Sequence, residues 1–156
     1  ELFLIIQKQF MYKIEKVSPN VVRPLRHKVL RPHLPFEESC LPSDSDPNAI
    51  HFTLKKDDTI LSVASLYSES LEAMPNNNAY RLRGMATEPA KQRKGFGAMI
   101  LRGAIDHLKK ETDVEILWCN ARVTAFGFYE KMGFTILGEI FDIPNLGPHK
   151  TGYIEL

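Results

Sequence analysis

The residues with the clearest chemical potential are Gln92-Arg93-Lys94-Gly95-Phe96-Gly97-Ala98, a basic, glycine-containing turn that runs straight into an amphipathic pattern. After it Phe96, Ile100, Ala104 and Leu108 recur at helical spacing, and Leu101 and Ile105 widen the stripe. Before it, Tyr80 to Thr87 has the composition of a strand. A helix N-terminus that follows a strand and a turn gathers backbone N–H groups with no partner in the helix, and the helix dipole adds partial positive charge. Glycine lets the main chain approach an anion closely, and Lys91, Arg93 and Lys94 add formal charge. The chemistry expected of this segment is the binding of a phosphate compound.

Several phosphate compounds are excluded by what the turn lacks. No Gly-Lys-Ser/Thr occurs, so the chain is not a P-loop NTPase. A dinucleotide fingerprint needs a third glycine after Gly95 and Gly97, and that position holds Ile100. Gly-x-Ser-x-Gly and His-Glu-x-x-His are absent, which removes the simplest serine-hydrolase and zinc-protease readings. His27, His33, His51 and His107 have no spacing that suggests a metal site, and no metal is expected.

The elements that must position this turn can be read in outline. Tyr12 to Val17 alternates like a strand, and Ser18-Pro19 reads as a helix start with Ser18 as cap. Six of the ten prolines fall before residue 50, which makes residues 31–48 a long loop. Ala49 to Leu54 and Ile60 to Tyr67 are β-rich and joined as a hairpin through Lys55–Thr59. The glycine-turn helix runs to about Lys110, and Val114 to Cys119 is a short apolar strand. Arg122 to Lys131 reads as helix, ended by Gly133, with strands at Phe134–Phe141 and Lys150–Glu155. This order describes a mixed α/β (α+β) domain with helices on a central sheet.

Composition narrows the class. A chain of 156 residues with 44% apolar and 25% charged residues is expected to be one soluble domain with a real core. Net charge is only +1, so the basic cluster at 91–94 is local, and neither nucleic acid nor a membrane surface is an expected partner. Cys40 and Cys119 lack metal-type spacing and read as idle thiols of a reducing compartment, hence a cytoplasmic protein. Residues 1–10 include an apolar run too short to span a bilayer. They read as an extension without a function of its own, with 11–156 as the single domain.

A second stretch decides between cofactors: Asn120-Ala121-Arg122-Val123-Thr124-Ala125-Phe126-Gly127-Phe128-Tyr129-Glu130-Lys131-Met132-Gly133-Phe134. Together with Met85 to Gly97 it resembles the GNAT superfamily of acetyl-CoA-dependent N-acetyltransferases. The first block is similar to that family's Gln/Arg-x-x-Gly-x-Gly/Ala pyrophosphate motif, the second to its Asn-x-x-Ala-x-x-Phe-Tyr-x-Lys-x-Gly-Phe signature. The resemblance spans about residues 50–156 and implies a mostly antiparallel sheet of six to seven strands with about four helices. It also implies a splay between the strands ending near Thr87 and Asn120.

The resemblance implies roles as well. Gln92, Arg93, Lys94, Gly95, Phe96, Gly97 and Ala98 would hold the pyrophosphate of acetyl-CoA. The main chain of Met85, Ala86 and Thr87 would pair with the pantetheine arm, and an N–H near Met85 would polarise the thioester carbonyl. Asn120 and Phe128 would border the cofactor, although a helix-capping role for Asn120 stays open. Tyr129 would protonate the leaving thiolate, since a phenol with a pKa of roughly 10 keeps its proton until a thiolate forms beside it.

Many family members place an acidic base on the strand before the glycine turn. This chain has Arg81 and Arg83 there instead. If these face the acceptor, two guanidiniums favour a carboxylate or phosphate on it. His149, read as lying in a turn before the last strand, is the preferred base, with Glu139 and Asp142 as alternatives. The expected function is transfer of an acetyl group to a primary amine by direct attack in a ternary complex, with a small acceptor that can be anionic and no acetyl-cysteine. A homodimer, a non-catalytic acyl-CoA-binding module and a protein-amine acceptor remain as alternatives.

Overall fold

The computed structural model describes residues 11–156, so the expectation for residues 1–10 lies outside the described residues. Seven strands build one sheet: β1 (Tyr12–Val17), β2 (Ile50–Lys56), β3 (Thr59–Ser68), β4 (Ala79–Thr87), β5 (Ile116–Arg122), β6 (Thr135–Ile143) and β7 (Gly147–Glu155). Their order across the sheet is β1-β2-β3-β4-β5-β7-β6. Every neighbouring pair is antiparallel except β4 with β5. Three α-helices are present among the described residues: α1 (Pro19–Leu30), α2 (Phe96–Glu111) and α3 (Phe126–Lys131). The 31–48 segment, expected as a long loop, carries 3-10 turns at Phe36–Ser39 and Pro42–Ser45, in keeping with its prolines.

Strand β3 explains how the layers stack. Leu61 to Tyr67 is buried without interruption, as expected of a central strand covered on both faces. Ala64 and Leu66 point with Phe52, Leu54 and Leu82 towards Ile100, Leu101, Ala104 and Leu108 of α2. Val63 points the other way and joins Ala86 in a cluster with Val22 and Leu25 of α1. The stripe read from sequence is therefore the buried face of α2, and each fully buried leucine or isoleucine there contributes about 1.5–3 kcal/mol. Helix α1 persists through Pro24, and Ser18 makes no side-chain capping bond, so burial of its inner face rather than a cap holds it.

The helix expected from Arg122 begins only at Phe126, and two strands run further than the sequence reading, for one reason. Strand β5 continues to Arg122, and β7 starts at Gly147, because Arg122 pairs with His149 and His149 pairs with Phe141. Ladder pairing on both sides overrides the turn tendency of Gly147-Pro148. His149 thus sits inside a strand and not in the turn before it.

Strands β4 and β5 stay together only briefly. Their parallel register covers Ala79↔Ile116, Tyr80↔Leu117 and Arg81↔Trp118, and then they part. Just beyond Arg81, β4 bulges: Ser65 faces Arg83 and Val63 faces Ala86, so Gly84 and Met85 together oppose Ala64. Gly84 has φ of 62°, the left-handed region that glycine enters at little cost. A bulge bends its strand and sharpens the local twist, which turns β4 away from β5.

Candidate active site

Where β4 and β5 part, a cleft of about 260 Å³ opens. Its floor is Arg81–Met85 of β4 and Cys119–Arg122 of β5, and Phe128 and Tyr129 of α3 close one side. Leu30 and Arg31, with Ile143, Leu146 and His149, close the other. That second side is tied across: Arg122 Nη2 donates to the Leu30 carbonyl at 3.1 Å, and His33 Nε2 meets the Asn145 carbonyl at 3.2 Å.

The bulge that makes the cleft rests on a buried polar cluster. Arg26 of α1 is 2% exposed and packs against Gly84, where an added Cβ would fall 2.6 Å from its Nε. Its Nη1 donates to the Ser39 carbonyl at 2.7 Å and to Asp44 at 2.8 Å; its Nη2 donates to Ser65 Oγ at 2.9 Å. Tyr67 also donates to Asp44, and Leu41 N–H reaches the same carboxylate at 3.1 Å. Burial alone would raise the Asp44 carboxyl, but the Arg26 guanidinium and the Tyr67 hydroxyl outweigh it and hold it down to about 2. Burial pushes the Tyr67 phenol up to about 12. His51 is held below its ordinary value by burial, with Nε2 against the Asp44 carbonyl and Nδ1 against Ser65 Oγ. The cluster pins the 31–48 segment to the sheet beside the bulge. It is a structural device, and sequence reasoning missed it.

Tyr129 lies at the inner end of the cleft, 8% exposed, between Phe128 at 5.1 Å and Phe134 at 5.2 Å between ring centroids. Burial, and then the neighbouring Cys119 thiol, push its phenol well above the usual range. Burial pushes the Cys119 thiol up to about 12, so that thiol stays protonated and is a poor nucleophile. Asn120 faces the cleft from mid-strand, its Oδ1 accepting from Thr151 Oγ1 at 3.0 Å. A capping role is excluded, since the residue that precedes α3 is Ala125.

His149 is 4% exposed, in the cleft wall, with Phe141 stacked on its ring. Its Nδ1 lies 2.7 Å from the Gly147 carbonyl, which can only accept. Nδ1 therefore donates this bond, and in the neutral ring the lone pair lies on Nε2. Glu139 and Asp142 are exposed and do not line the cleft, which removes them as bases.

The two arginines of β4 separate. Arg81 donates from Nη1 to Glu69 Oε2 at 3.0 Å and lies 4.8 Å over the Trp118 ring, so it has a counter-ion within the protein, while its buried Nε has no partner among the described residues. Arg83 lines the cleft, and burial, then the like charge of Arg81, lower its affinity for a proton. Of Met85, Ala86 and Thr87, Met85 lines the cleft. The Ala86 carbonyl accepts from Ser62 Oγ at 3.0 Å and the Thr87 carbonyl from Gln92 Nε2 at 3.2 Å. Each of those two carbonyls thus already accepts one bond from a side chain of the protein itself.

The Gln92–Ala98 turn has the geometry of an anion cradle. Arg93 and Gly95 both adopt left-handed backbone, with φ of 63° and 85°. The first helical bond of α2 runs from Met99 N–H to the Gly95 carbonyl, leaving the amides of Phe96, Gly97 and Ala98 without intrahelical partners. Arg93, Lys94 and Gly95 are exposed, and nothing lies within 4 Å of where a Gly95 Cβ would be. Phe128 connects this turn to the cleft, its ring 3.8 Å from the position of a Gly97 Cβ. These features fit a pyrophosphate, with its attached chain led past Phe128 towards Tyr129. Among the described residues no three His, Cys, Asp or Glu side chains gather as metal ligands.

A splayed β4/β5 pair, a bulge opposite the gap and an anion cradle at the following helix define an acyl-CoA N-acyltransferase architecture. The chain belongs to the acetyltransferase (GNAT) family, whose sequence pattern matches residues 9–134. It is 35% identical over 143 residues to the uncharacterized N-acetyltransferase YitI of Bacillus subtilis (strain 168), covering 92% of this chain and 95% of that one. The fold is shared with FeeM, an N-acyl amino acid synthase from uncultured soil microbes, at a TM-score of 0.75 and 14% identity over 92% and 90% of the two chains. A spermidine N-acetyltransferase from Vibrio cholerae in complex with CoA and spermine superposes with a TM-score of 0.69, at 16% identity over 93% and 95%. No described helix is long and apolar enough to cross a membrane.

Proposed function

We propose that this acetyltransferase moves the acetyl group of acetyl-CoA to a primary amine on a small molecule, by direct attack while both substrates are bound. One observation carries the reading: a buried phenol, Tyr129, and an imidazole with a free Nε2, His149, line the same cleft where β4 leaves β5. Acetyl-CoA supplies the acetyl group as an activated thioester. The amides of Arg93 to Ala98 hold its pyrophosphate, helped by Lys94, and Phe128 and Asn120 border the arm that follows. The Met85 main chain pairs with that arm, and its N–H donates to the thioester carbonyl.

His149 Nε2 takes a proton from the amine, which is needed because a lysine-like ammonium has a pKa of about 10. Tyr129 Oη then gives its proton to the departing sulfur. A phenol raised by burial is a weak acid, but the same burial raises a thiolate beside it, as Cys119 at about 12 illustrates. The transfer therefore runs between groups shifted in the same direction.

The ties from Arg122 to Leu30 and from His33 to Asn145 narrow the acceptor side, which favours a small amine over a protein chain. Two structural neighbours carry names in the same sense, one for spermidine and one for amino acids. Residues 11–156 act as one domain on this reading, and the free thiols of Cys40 and Cys119 favour a reducing, cytoplasmic setting. Tyr129→Phe tests the assignment. CoA binding by calorimetry should stay within about 2-fold of wild type, while kcat for thiol release falls by about 100-fold or more. Undiminished turnover would remove Tyr129 as the acid.

A further inference from the structure

The charge around the cleft is one-sided. Arg31, Arg81, Arg83 and Arg122 border it, and no Asp or Glu does. Three of these guanidiniums have work inside the protein. Arg81 holds Glu69 and Trp118, Arg31 donates to the Glu38 carbonyl at 2.7 Å, and Arg122 donates to the Leu30 carbonyl at 3.1 Å. For Arg83 no hydrogen bond or ion pair is present among the described residues. A guanidinium stays charged at any ordinary pH, and partial burial without a counter-ion is unfavourable unless a ligand supplies one.

Resting on the reading that the acceptor amine enters this cleft, we propose that Arg83 is its recognition residue. The acceptor is then a small amine that also bears an oxyanion, a carboxylate or a phosphate, and not a polyamine. The anion would close the missing ion pair with a fork of charge-assisted hydrogen bonds, with Arg31 adding attraction at longer range. A polyamine meets the opposite field: four positive side chains line the cleft, with no carboxylate to receive a second ammonium. The likeness to the spermidine enzyme therefore extends to the fold and not to the acceptor. Leu30, Ile143 and Leu146 line the same cleft and offer apolar surface for the rest of the molecule.

The test uses the full chain with acetyl-CoA and matched acceptors: glycine, β-alanine, leucine and glutamate, the amide of each carboxylate, phosphoethanolamine and spermidine. The best anionic acceptor should exceed its own neutral counterpart by about 100-fold in kcat/KM. Phosphoethanolamine against the amino carboxylates tells phosphate from carboxylate. Arg83→Gln should abolish the preference by lowering kcat/KM far more for the anionic acceptor than for its neutral counterpart, and Arg83→Lys should restore part of it. If Arg83→Gln folds poorly, Arg83→Lys carries the comparison.

Calorimetry of the same acceptors on CoA-loaded protein separates the two claims. Arg83-dependent binding of anionic amines without thiol release would keep the oxyanion site and overturn the transfer reading. Thiol release with spermidine or the amides at rates matching the carboxylates would keep transfer and overturn the oxyanion site. An equal loss for charged and neutral acceptors in Arg83→Gln would also overturn it.

Discussion

Replacing Gly84 with alanine should damage the protein more than its small size suggests. The residue has φ of 62°, and an added Cβ would lie 2.6 Å from Arg26 Nε, 3.2 Å from its Cδ and 3.3 Å from its Cζ. The left-handed backbone alone costs a non-glycine residue about 1–2 kcal/mol. Arg26 cannot swing aside cheaply, because its guanidinium is fixed by Ser39, Asp44, Ser65 and Tyr67. Forcing an atom into such a packed site adds about 1–3 kcal/mol, for a total of about 2–5 kcal/mol. In a chain of this size each kcal/mol lowers Tm by about 2–4 °C, so Gly84→Ala should lose about 4–20 °C.

Gly95→Ala is the matched control. Its φ is 85°, but nothing lies within 4 Å of the new atom, so only the backbone cost of about 1–2 kcal/mol applies. Urea unfolding of both variants measures the difference directly. Kinetics should divide as well, with Gly84→Ala lowering kcat through a displaced bulge and Gly95→Ala raising the KM for acetyl-CoA. A Gly84→Ala protein as stable as Gly95→Ala would refute the claim that Arg26 props the bulge.

Two further outcomes follow from the same cluster. Asp44→Asn leaves the Arg26 charge buried without its counter-ion and should cost about 3–5 kcal/mol in urea unfolding, far more than an exposed Asp46→Asn. Stability should also rise with pH across the acid range. The Asp44 carboxyl moves from 3.8 to about 2 on folding, so its stabilisation is complete above 3.8 and lost as pH falls towards 2, about 2 kcal/mol in all. His51 adds to the same slope at higher pH: burial holds it below its ordinary 6.5, so it withdraws stability as pH drops below that value. Denaturation midpoints that stay flat from pH 7 to pH 3 would contradict both assignments.

The parts of this protein that were legible in its sequence are those written in local spacing. The α2 stripe shows as a run of apolar residues at helical intervals, and the glycine turn and the Asn120–Phe134 block each fall within a dozen or so residues. The Arg26–Asp44 pair is 18 residues apart, and Arg26 meets Ser65 and Tyr67 across 39 and 41. No periodicity records such contacts, so a proline-rich segment that looked like an open loop proved to be anchored through a buried carboxylate. Arg81 and Arg83 are equivalent by type and by strand parity, and they differ only because Glu69 and Trp118 happen to surround one of them. Gly147-Pro148 signals a turn locally, yet pairing with β5 and β6 draws His149 into a strand. One visible clue went unused: a lone glycine between Arg83 and Met85, inside a strand, is a common mark of a bulge.

The central claim is that both substrates occupy one cleft and that the amine attacks without an enzyme-bound acetyl group. Initial velocities of thiol release, measured over a grid of acetyl-CoA and amine concentrations, test it most directly. Double-reciprocal lines that intersect, with the N-acetylated amine formed mole for mole with free CoA, are the predicted result. Parallel lines, with acetyl retained on Cys119 when the amine is withheld, would contradict it.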